Sequence, residues 1–374
     1  MRILHVAEVA HGGVITVVGS FVRGQIESGH DVHVLVPDGV ELPGVTHTWN
    51  PRRRHPYDYP AQVDRLRRVV DEVRPDVLHL HSFFSGLFGR LATRRLSAAP
   101  TVVYQPHAWA FEAARFRPLA RAVADWERHA ARRTDLLVVN CTDELVEARR
   151  RGIRDSAAVI GVPVDVRYFV PAPESQRAQL REHLELGSRF AVVCVGRMSR
   201  QKGQDQLVAA WERRPIPNAE LVLVGPGDTA ALRKSAPREW GRTIRAVGPQ
   251  TDVRPWLQVA DVCVQPSRYE GQSAAVAEAM ACGTPVVMTD VNGACDALVP
   301  ASDAVAGAVV PRGDMNALLD AVRVRLGSRQ RDEEAVAARQ RAVQHFSTEK
   351  VLARLDSAYQ RAGAVDRTGE VGSQ

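Results

Sequence analysis

The chain has 374 residues, 45% hydrophobic and 25% charged, a globular composition, and at roughly 150 residues per domain it is long enough for two or three domains. No apolar stretch reaches the ~18 residues of a membrane-spanning helix, and the five scattered cysteines (141, 194, 263, 282 and 295) lack any C-x-x-C pair, which disfavours a disulfide frame or structural zinc and points to a reducing cytoplasm. The net charge of +6 is carried almost wholly by arginine, with lysine only at positions 202, 234 and 350; beside abundant Ala and Val, this usage fits a GC-rich genome and gives no reason to expect nucleic acid, although a mild positive field suits anionic partners.

The opening Met1-Arg2-Ile3-Leu4-His5-Val6-Ala7 is an apolar run interrupted by His5, with Glu8 just beyond. It is too short and too polar for a secretory signal and reads as a first buried strand. Short β-branched strands follow at Val32–Val36, Val77–His79, Thr101–Tyr104 and Leu136–Val139, with helical stretches such as Gln62–Val73 and Leu87–Arg95 between them. Such alternation predicts a parallel sheet with helices on both faces. Periodicity fails over residues 161–175, where three prolines mark a linker. It restarts at Ala191–Val195, Glu220–Val224, Ile244–Val247, Asp261–Gln265 and Pro285–Met288. Beyond Gly313 the sequence is mostly helical. The reading is an α/β chain of two Rossmann-like domains, residues 1–165 and 166–345, facing each other across a cleft. A helix over 346–361 is expected to pack back on the first domain, and 362–374 to form a flexible tail.

Ligands of open parallel sheets sit at the carboxyl ends of strands, and the informative residues lie there. The first turn carries Gly12 and Gly13; paired glycines let backbone approach a ligand, and the helix that follows offers unpaired amides to an anion. A structural turn explains the pair equally well. No G-x-G-x-x-G is present. The second half opens with Gly196-Arg197-Met198-Ser199-Arg200-Gln201-Lys202-Gly203, a guanidinium and an ammonium five residues apart in one loop. Arg gives bidentate oxygen contacts and Lys a mobile point charge, together a match for a diphosphate. The spacing is not that of a Walker A loop; two solvated surface charges are the bland alternative.

The densest stretch runs from Ala260 to Val287. A strand ends at Pro266, a loop carries Glu270, Gly271 and Gln272, and a helix starts near Ser273 and stops at Gly283. Amides around Ser273 and Ala274 open that helix and can hold a phosphate. Glu278 is a carboxylate among Ala, Val and Met, costly unless partnered, and sugar hydroxyls are good partners; an exposed helix carboxylate is the plainer reading.

The G-R-x₄-K-G loop followed by E-G-x₆-E-A-M-A-x-G-x-P-V-V resembles the retaining glycosyltransferases of family 4 (group 1), which have the GT-B architecture. Weaker matches along most of the chain include the Gly-Gly turn, Pro75-Asp76-Val77-Leu78-His79-Leu80-His81, Gly161-Val162-Pro163-Val164-Asp165 and Leu223-Val224-Gly225-Pro226-Gly227. The resemblance implies that Arg197 and Lys202 hold the donor diphosphate, that Glu278 binds the nucleotide ribose, and that Glu270 faces the donor sugar. Gln272-Ser273-Ala274 departs from the bulkier or Gly/Pro-rich run usual after E-G, a difference that falls on the sugar contacts.

His107 follows the strand Thr101–Tyr104 and so points to the ligand side; it resembles the family's histidine that meets the transferred sugar. His79 and His81 flank another strand end, one expected inside and the other near the acceptor. These histidines lack a nearby carboxylate set, and the chain contains no D-x-D. No metal and no cofactor are therefore expected beyond a nucleotide diphosphate sugar as co-substrate, its charge neutralised by Arg197, Lys202 and a helix dipole. Residues 115–133 place Leu119, Val123, Trp126 and Ala130 on one helical face and Arg117, Arg121, Arg128 and Arg132 opposite. A solvated face over a buried one accounts for this; a helix docking on anionic membrane lipid is the sharper reading. The expectation is a cytoplasmic retaining enzyme, peripheral at the inner membrane face, that moves a hexosyl unit from a UDP- or GDP-sugar to a glycan, glycolipid or small-molecule acceptor. A sugar-nucleotide epimerase or inverting transferase of the same fold is the nearest rival, and a non-enzymatic sugar- or lipid-binding protein a more distant one.

Overall fold

A computed structural model describes residues 1–50, 56–93, 99–114, 116–154, 157–299 and 304–368. The chain divides into two units, Met1–Pro163 joined by the C-terminal helix from Thr348, and Val164–Ser347. The chain passes between units two residues away from the breaks at 165 and 345 read in the sequence.

The first unit is built on a seven-stranded, wholly parallel sheet. Its strands are β1 (Arg2–Ala7), β2 (Asp31–Pro37), β3 (Val45–Trp49), β4 (Val77–His81), β5 (Thr101–Gln105), β6 (Leu136–Val139) and β7 (Ala157–Val159). The order β3-β2-β1-β4-β5-β6-β7 reverses direction between β1 and β4, and ligands bind at such a switch point in open sheets. Because helices cover both faces, buried strands read as continuous apolar runs; Leu4, Val6, Leu78 and Leu80 enter one core, and Ala7, Val34 and Val36 another. His5 and His79 pair across β1 and β4, and His81 pairs with Ala7 on one side and Gln105 on the other. These histidines share a face with Phe21 and Tyr359.

The second unit repeats the plan with six strands: β8 (Phe190–Val195), β9 (Ala219–Val224), β10 (Ile244–Gly248), β11 (Val262–Gln265), β12 (Val286–Thr289) and β13 (Gly307–Val310). Their order is β10-β9-β8-β11-β12-β13, with the reversal between β8 and β11. Val264 and Val287 lie in one core with Leu207, Trp211 and Leu223, while Cys263, Val286 and Met288 pack in another against Met280.

Three strands escaped the sequence reading. β3 buries only Trp49, β7 buries no residue and β13 only its two end residues, too little burial for a strand signal. The C-terminal helix runs on from Thr348 to Thr368, so residues 362–368, read as tail, are helical. One glycine, at 363, costs about 1 kcal/mol in a helix interior, too little to stop a helix already long; residues 369–374 lie outside the described residues.

The basic segment also differs from its expected wheel. The helix Arg117–Ala130 buries Ala124, Glu127 and Ala130, while Leu119 is 53% and the preceding Phe116 69% exposed. The reason is Glu127: it pairs with buried Arg90 at 2.8 Å and accepts from the Tyr104 hydroxyl at 3.1 Å, with Arg90 stacked on the Tyr104 ring. Removing one partner of such a buried pair costs about 3–5 kcal/mol. That anchor turns the helix so that Leu119 faces out beside Arg117 and Arg121. Arg115 and residues 94–98, including the end of the stretch read as Leu87–Arg95, lie outside the described residues.

Candidate active site

In the second unit two loops leave adjacent strands at the switch point and lock together. After β8 comes Gly196–Gly203, and after β11 comes Pro266–Ser273. Gly203 sits at φ 73°, and a Cβ there would fall 2.0 Å from the Pro266 carbonyl oxygen, so only glycine allows this approach. The Arg268 amide donates to the Gln201 carbonyl at 2.8 Å, and its guanidinium donates to the Arg200 carbonyl and, bidentate, to Asp205 at 2.7 Å. Gln206 donates to the Pro266 carbonyl at 2.7 Å.

This clamp brings Lys202 and Glu270 together. Lys202 Nζ lies 2.8 Å from Glu270 Oε1, and the same oxygen accepts from the Ser267 hydroxyl at 2.7 Å. Glu270 is buried, whereas Lys202 keeps a fifth of its side chain exposed. Arg197, in the same loop, is exposed and forms no ion pair among the described residues. The arrangement offers one anchored and one open cation to an incoming anion.

The helix Ala274–Ala281 starts directly after this loop. Ser273, at its N-cap, is 5% exposed, its Oγ has no hydrogen-bond partner among the described residues, and it does not cap the helix. A buried hydroxyl without a partner is costly, and here it stands beside the free amides of a helix N-terminus, where phosphate oxygens are good acceptors. Glu278 lies partly buried on the same helix. Burial pushes its carboxyl up to about 7, with Lys202 opposing; the sequence expectation of a carboxylate needing a partner therefore has a physical counterpart.

In the first unit, His107 follows β5 at φ 57°, with Ala108 at φ 154°. Non-glycine residues in this region carry strain and concentrate at functional positions. Trp109, two residues on, is buried and donates from its indole nitrogen to the Glu144 carbonyl at 3.0 Å, which pins the turn. Burial pushes the His107 ring down to about 3, so it is neutral at pH 7. Gly12, at φ 97°, and Gly13 open the helix Gly13–Glu27, with Ile15 and Thr16 amides turned to the Gly12 carbonyl.

Both His79 and His81 are buried, so the expected split of one inside and one near the acceptor does not hold: the two rings face the same side of β4. The nitrogens of His5, His79 and His81 come within 4.8 Å of one another, the one set of this kind among the described residues. Burial lowers all three pKa values, His5 to about 4, and the His5 and His81 rings already satisfy each other at 2.9 Å. Sequence reading missed His5, Gln25, Ser267 and Glu8. Glu8, buried after β1, accepts from the Ser85 hydroxyl at 2.6 Å. The available signal was polarity inside an apolar strand for His5 and inside an apolar helix face for Gln25; Glu8 and Ser267, in loops after β1 and β11, carried none.

A family model described as Glycosyltransferase Family 4 matches residues 11–168, and one described as Glycosyl transferases group 1 matches residues 189–327. A D-inositol 3-phosphate glycosyltransferase of Xylanimonas cellulosilytica is 30% identical over 317 residues, 77% of this chain and 72% of that protein. Among solved structures, sucrose-phosphate synthase from Thermosynechococcus elongatus superposes with TM-score 0.84 at 22% identity, covering 97% of this chain and 99% of its own. Anabaena HepE in complex with UDP-glucose superposes with TM-score 0.81 at 20% identity, covering 96% and 100%. These last two likenesses establish the GT-B fold.

Proposed function

The chain belongs to the group 1 glycosyltransferases of family 4, and from that premise we propose that it transfers a hexosyl unit from a UDP- or GDP-sugar to a glycan, glycolipid or small-molecule hydroxyl, retaining anomeric configuration and using no essential metal. The observation that carries the donor class is the locked loop pair of the second unit, which sets Lys202, Glu270 and the unpartnered Ser273 hydroxyl at one switch point. When the bond from the sugar C1 to the diphosphate oxygen breaks, the leaving group gains negative charge. Arg197, Lys202 and the amides opening the helix Ala274–Ala281 neutralise it without needing a divalent ion. Gly271, Gln272 and Ala274 line the backbone approach to the phosphates. Glu278 takes the ribose hydroxyls and Glu270 the sugar, once an arriving phosphate draws Lys202 away. Gly12 and Gly13 give close backbone approach on the first unit, and His107 meets the transferred sugar.

No described helix is long and apolar enough to cross a membrane. We place the reaction in the cytoplasm, at the inner face of an anionic membrane, on the strength of exposed Phe116 and Leu119 beside Arg117 and Arg121. The test is turnover of UDP- and GDP-hexoses, first ranked by thermal shift, with the product anomer read by NMR. Retention supports the proposal; inversion, or epimerised donor without transfer, replaces it with one of its rivals. In the same assay His107→Ala is expected to lower kcat by ~10²-fold, about 2.7 kcal/mol of barrier, with nucleotide affinity nearly unchanged. Near-normal kcat with a lowered Tm would make His107 a packing residue.

A further inference from the structure

Beneath His107 the interior of the first unit holds a row of polar side chains with a direction. Gln25 Oε1, from the helix Gly13–Glu27, lies 2.7 Å from His5 Nε2. His5 Nδ1 lies 2.9 Å from His81 Nε2, and His81 Nδ1 lies 2.9 Å from His107 Nε2. Gln25, His5 and His81 are fully shielded from solvent, and burial lowers the pKa of all three imidazoles, so each ring is neutral. A neutral imidazole has one N–H and one lone pair. The choice made at one ring therefore dictates the choice at every ring along the row.

That choice is made at Gln25. Its side chain also lies against Asp356 and Tyr359 of the C-terminal helix; burial pushes the Asp356 carboxyl up, and His30 and the Gln25 amide oppose this. Gln25 Nε2 has no hydrogen-bond partner among the described residues, and with Asp356 acting on the amide from that side the N–H₂ belongs there, which leaves Oε1 for His5, 2.7 Å from its Nε2. An amide oxygen only accepts, so His5 carries its proton on Nε2 and has a bare Nδ1. His81 must then donate from Nε2 and accept at Nδ1, and His107 must donate from Nε2. His79 stands outside the row: its ring lies tilted by 30° against His81 with centroids 4.0 Å apart, while its Nδ1 meets the Tyr359 hydroxyl at 2.6 Å.

We propose that Gln25 is a positioning residue that, through His5 and His81, fixes His107 in the tautomer with Nε2 protonated and Nδ1 bare, so that Nδ1 accepts a hydrogen bond from a hydroxyl of the transferred sugar. The role of the bare nitrogen rests on the reading of His107 as the sugar-contacting residue; the tautomer itself does not. The hydrogen bond from His107 to His81 also holds the strained φ of 57°, tying backbone and ring to the same row.

The experiment is long-range ¹H–¹⁵N correlation on the full chain labelled at histidine, with His107 assigned by His107→Asn. Wild type is expected to show a pyridine-type Nδ1 and a pyrrole-type Nε2 at His107. Gln25→Met removes the only fixed acceptor, and His81→Phe cuts the row; in each folded variant the two His107 nitrogen shifts should move toward each other. In Gln25→Met kcat should fall with the fraction of competent tautomer, about two-fold for an even mixture, at unchanged donor KM. A proton on Nδ1 of His107 in wild type overturns the proposal, as do unmoved His107 shifts in both variants. So does stoichiometric zinc or cobalt bound through His5, His79 and His81. The expected tautomer combined with normal turnover in His107→Ala would leave the row standing and remove the reading of His107 as sugar-contacting.

Discussion

Lys202→Ala perturbs the second unit in two separable ways. Lys202 Nζ is 2.8 Å from Glu270 Oε1, and a diphosphate would take over that ammonium. Losing one charged hydrogen bond to the diphosphate costs about 1.5–3 kcal/mol, or roughly 10- to 150-fold in Kd. The truncation also strands the buried Glu270 carboxylate. At about 5 Å and an effective dielectric near 20, it would repel an arriving phosphate charge by about 3 kcal/mol. Calorimetric titration of UDP and GDP should therefore show Lys202→Ala weakened by ~10²-fold or more. Lys202→Ala/Glu270→Gln should recover much of this, because the amide removes the repulsion and leaves only the lost bond. The Ser267 hydroxyl, 2.7 Å from Glu270 Oε1, remains as an anchor in both variants, and Tm checks that each folds. A single variant within two-fold of wild type for both nucleotides would refute the diphosphate assignment. A double variant no tighter than the single one would refute the stranded-carboxylate argument.

Three further outcomes follow from the same geometry. Burial holds the Glu278 carboxyl at about 7 against the opposing pull of Lys202. A folded-state value above the ordinary 4.5 means the protein loses stability as pH rises from about 4.5 to about 7. Ribose hydroxyls donate to the ionised form, so nucleotide affinity should rise about 10-fold from pH 6 to 8, and Glu278→Gln should flatten the slope; an equal slope in that variant would reassign it. Turnover should survive exhaustive EDTA treatment, whereas loss restored by manganese would show that a divalent ion carries the leaving-group charge. Phe116→Ser/Leu119→Ser should reduce sedimentation with phosphatidylglycerol vesicles and leave that with neutral phosphatidylcholine vesicles unchanged; equal binding to the first would remove this helix from the membrane contact.

The sequence by itself determined the layered architecture and brought out the candidate residues at the strand ends of the second unit. Short β-branched runs alternating with helical stretches leave little but parallel sheets, and the segments after β8 and β11 carry Arg197, Lys202 and Glu270 in loops and Glu278 on the helix that follows, at spacings readable without a structure, because a ligand at strand ends must be met by residues contiguous with those strands. Periodicity also has a floor: β3, β7 and β13 have too few buried residues to rise above it. What only tertiary structure decided is anything set by a partner distant in sequence. Glu127 turns the helix Arg117–Ala130 because Arg90, 37 positions away, is buried beside it, so Leu119, which the helical wheel put on the inner face, is exposed alongside Arg117 and Arg121. His5 looked like a blemish in a strand until the sheet placed it 2.9 Å from His81 and the helix Gly13–Glu27 brought Gln25 to its other side. A hydrogen-bonded row has no sequence period, since its members come from separate elements and meet only through the packing of the sheet.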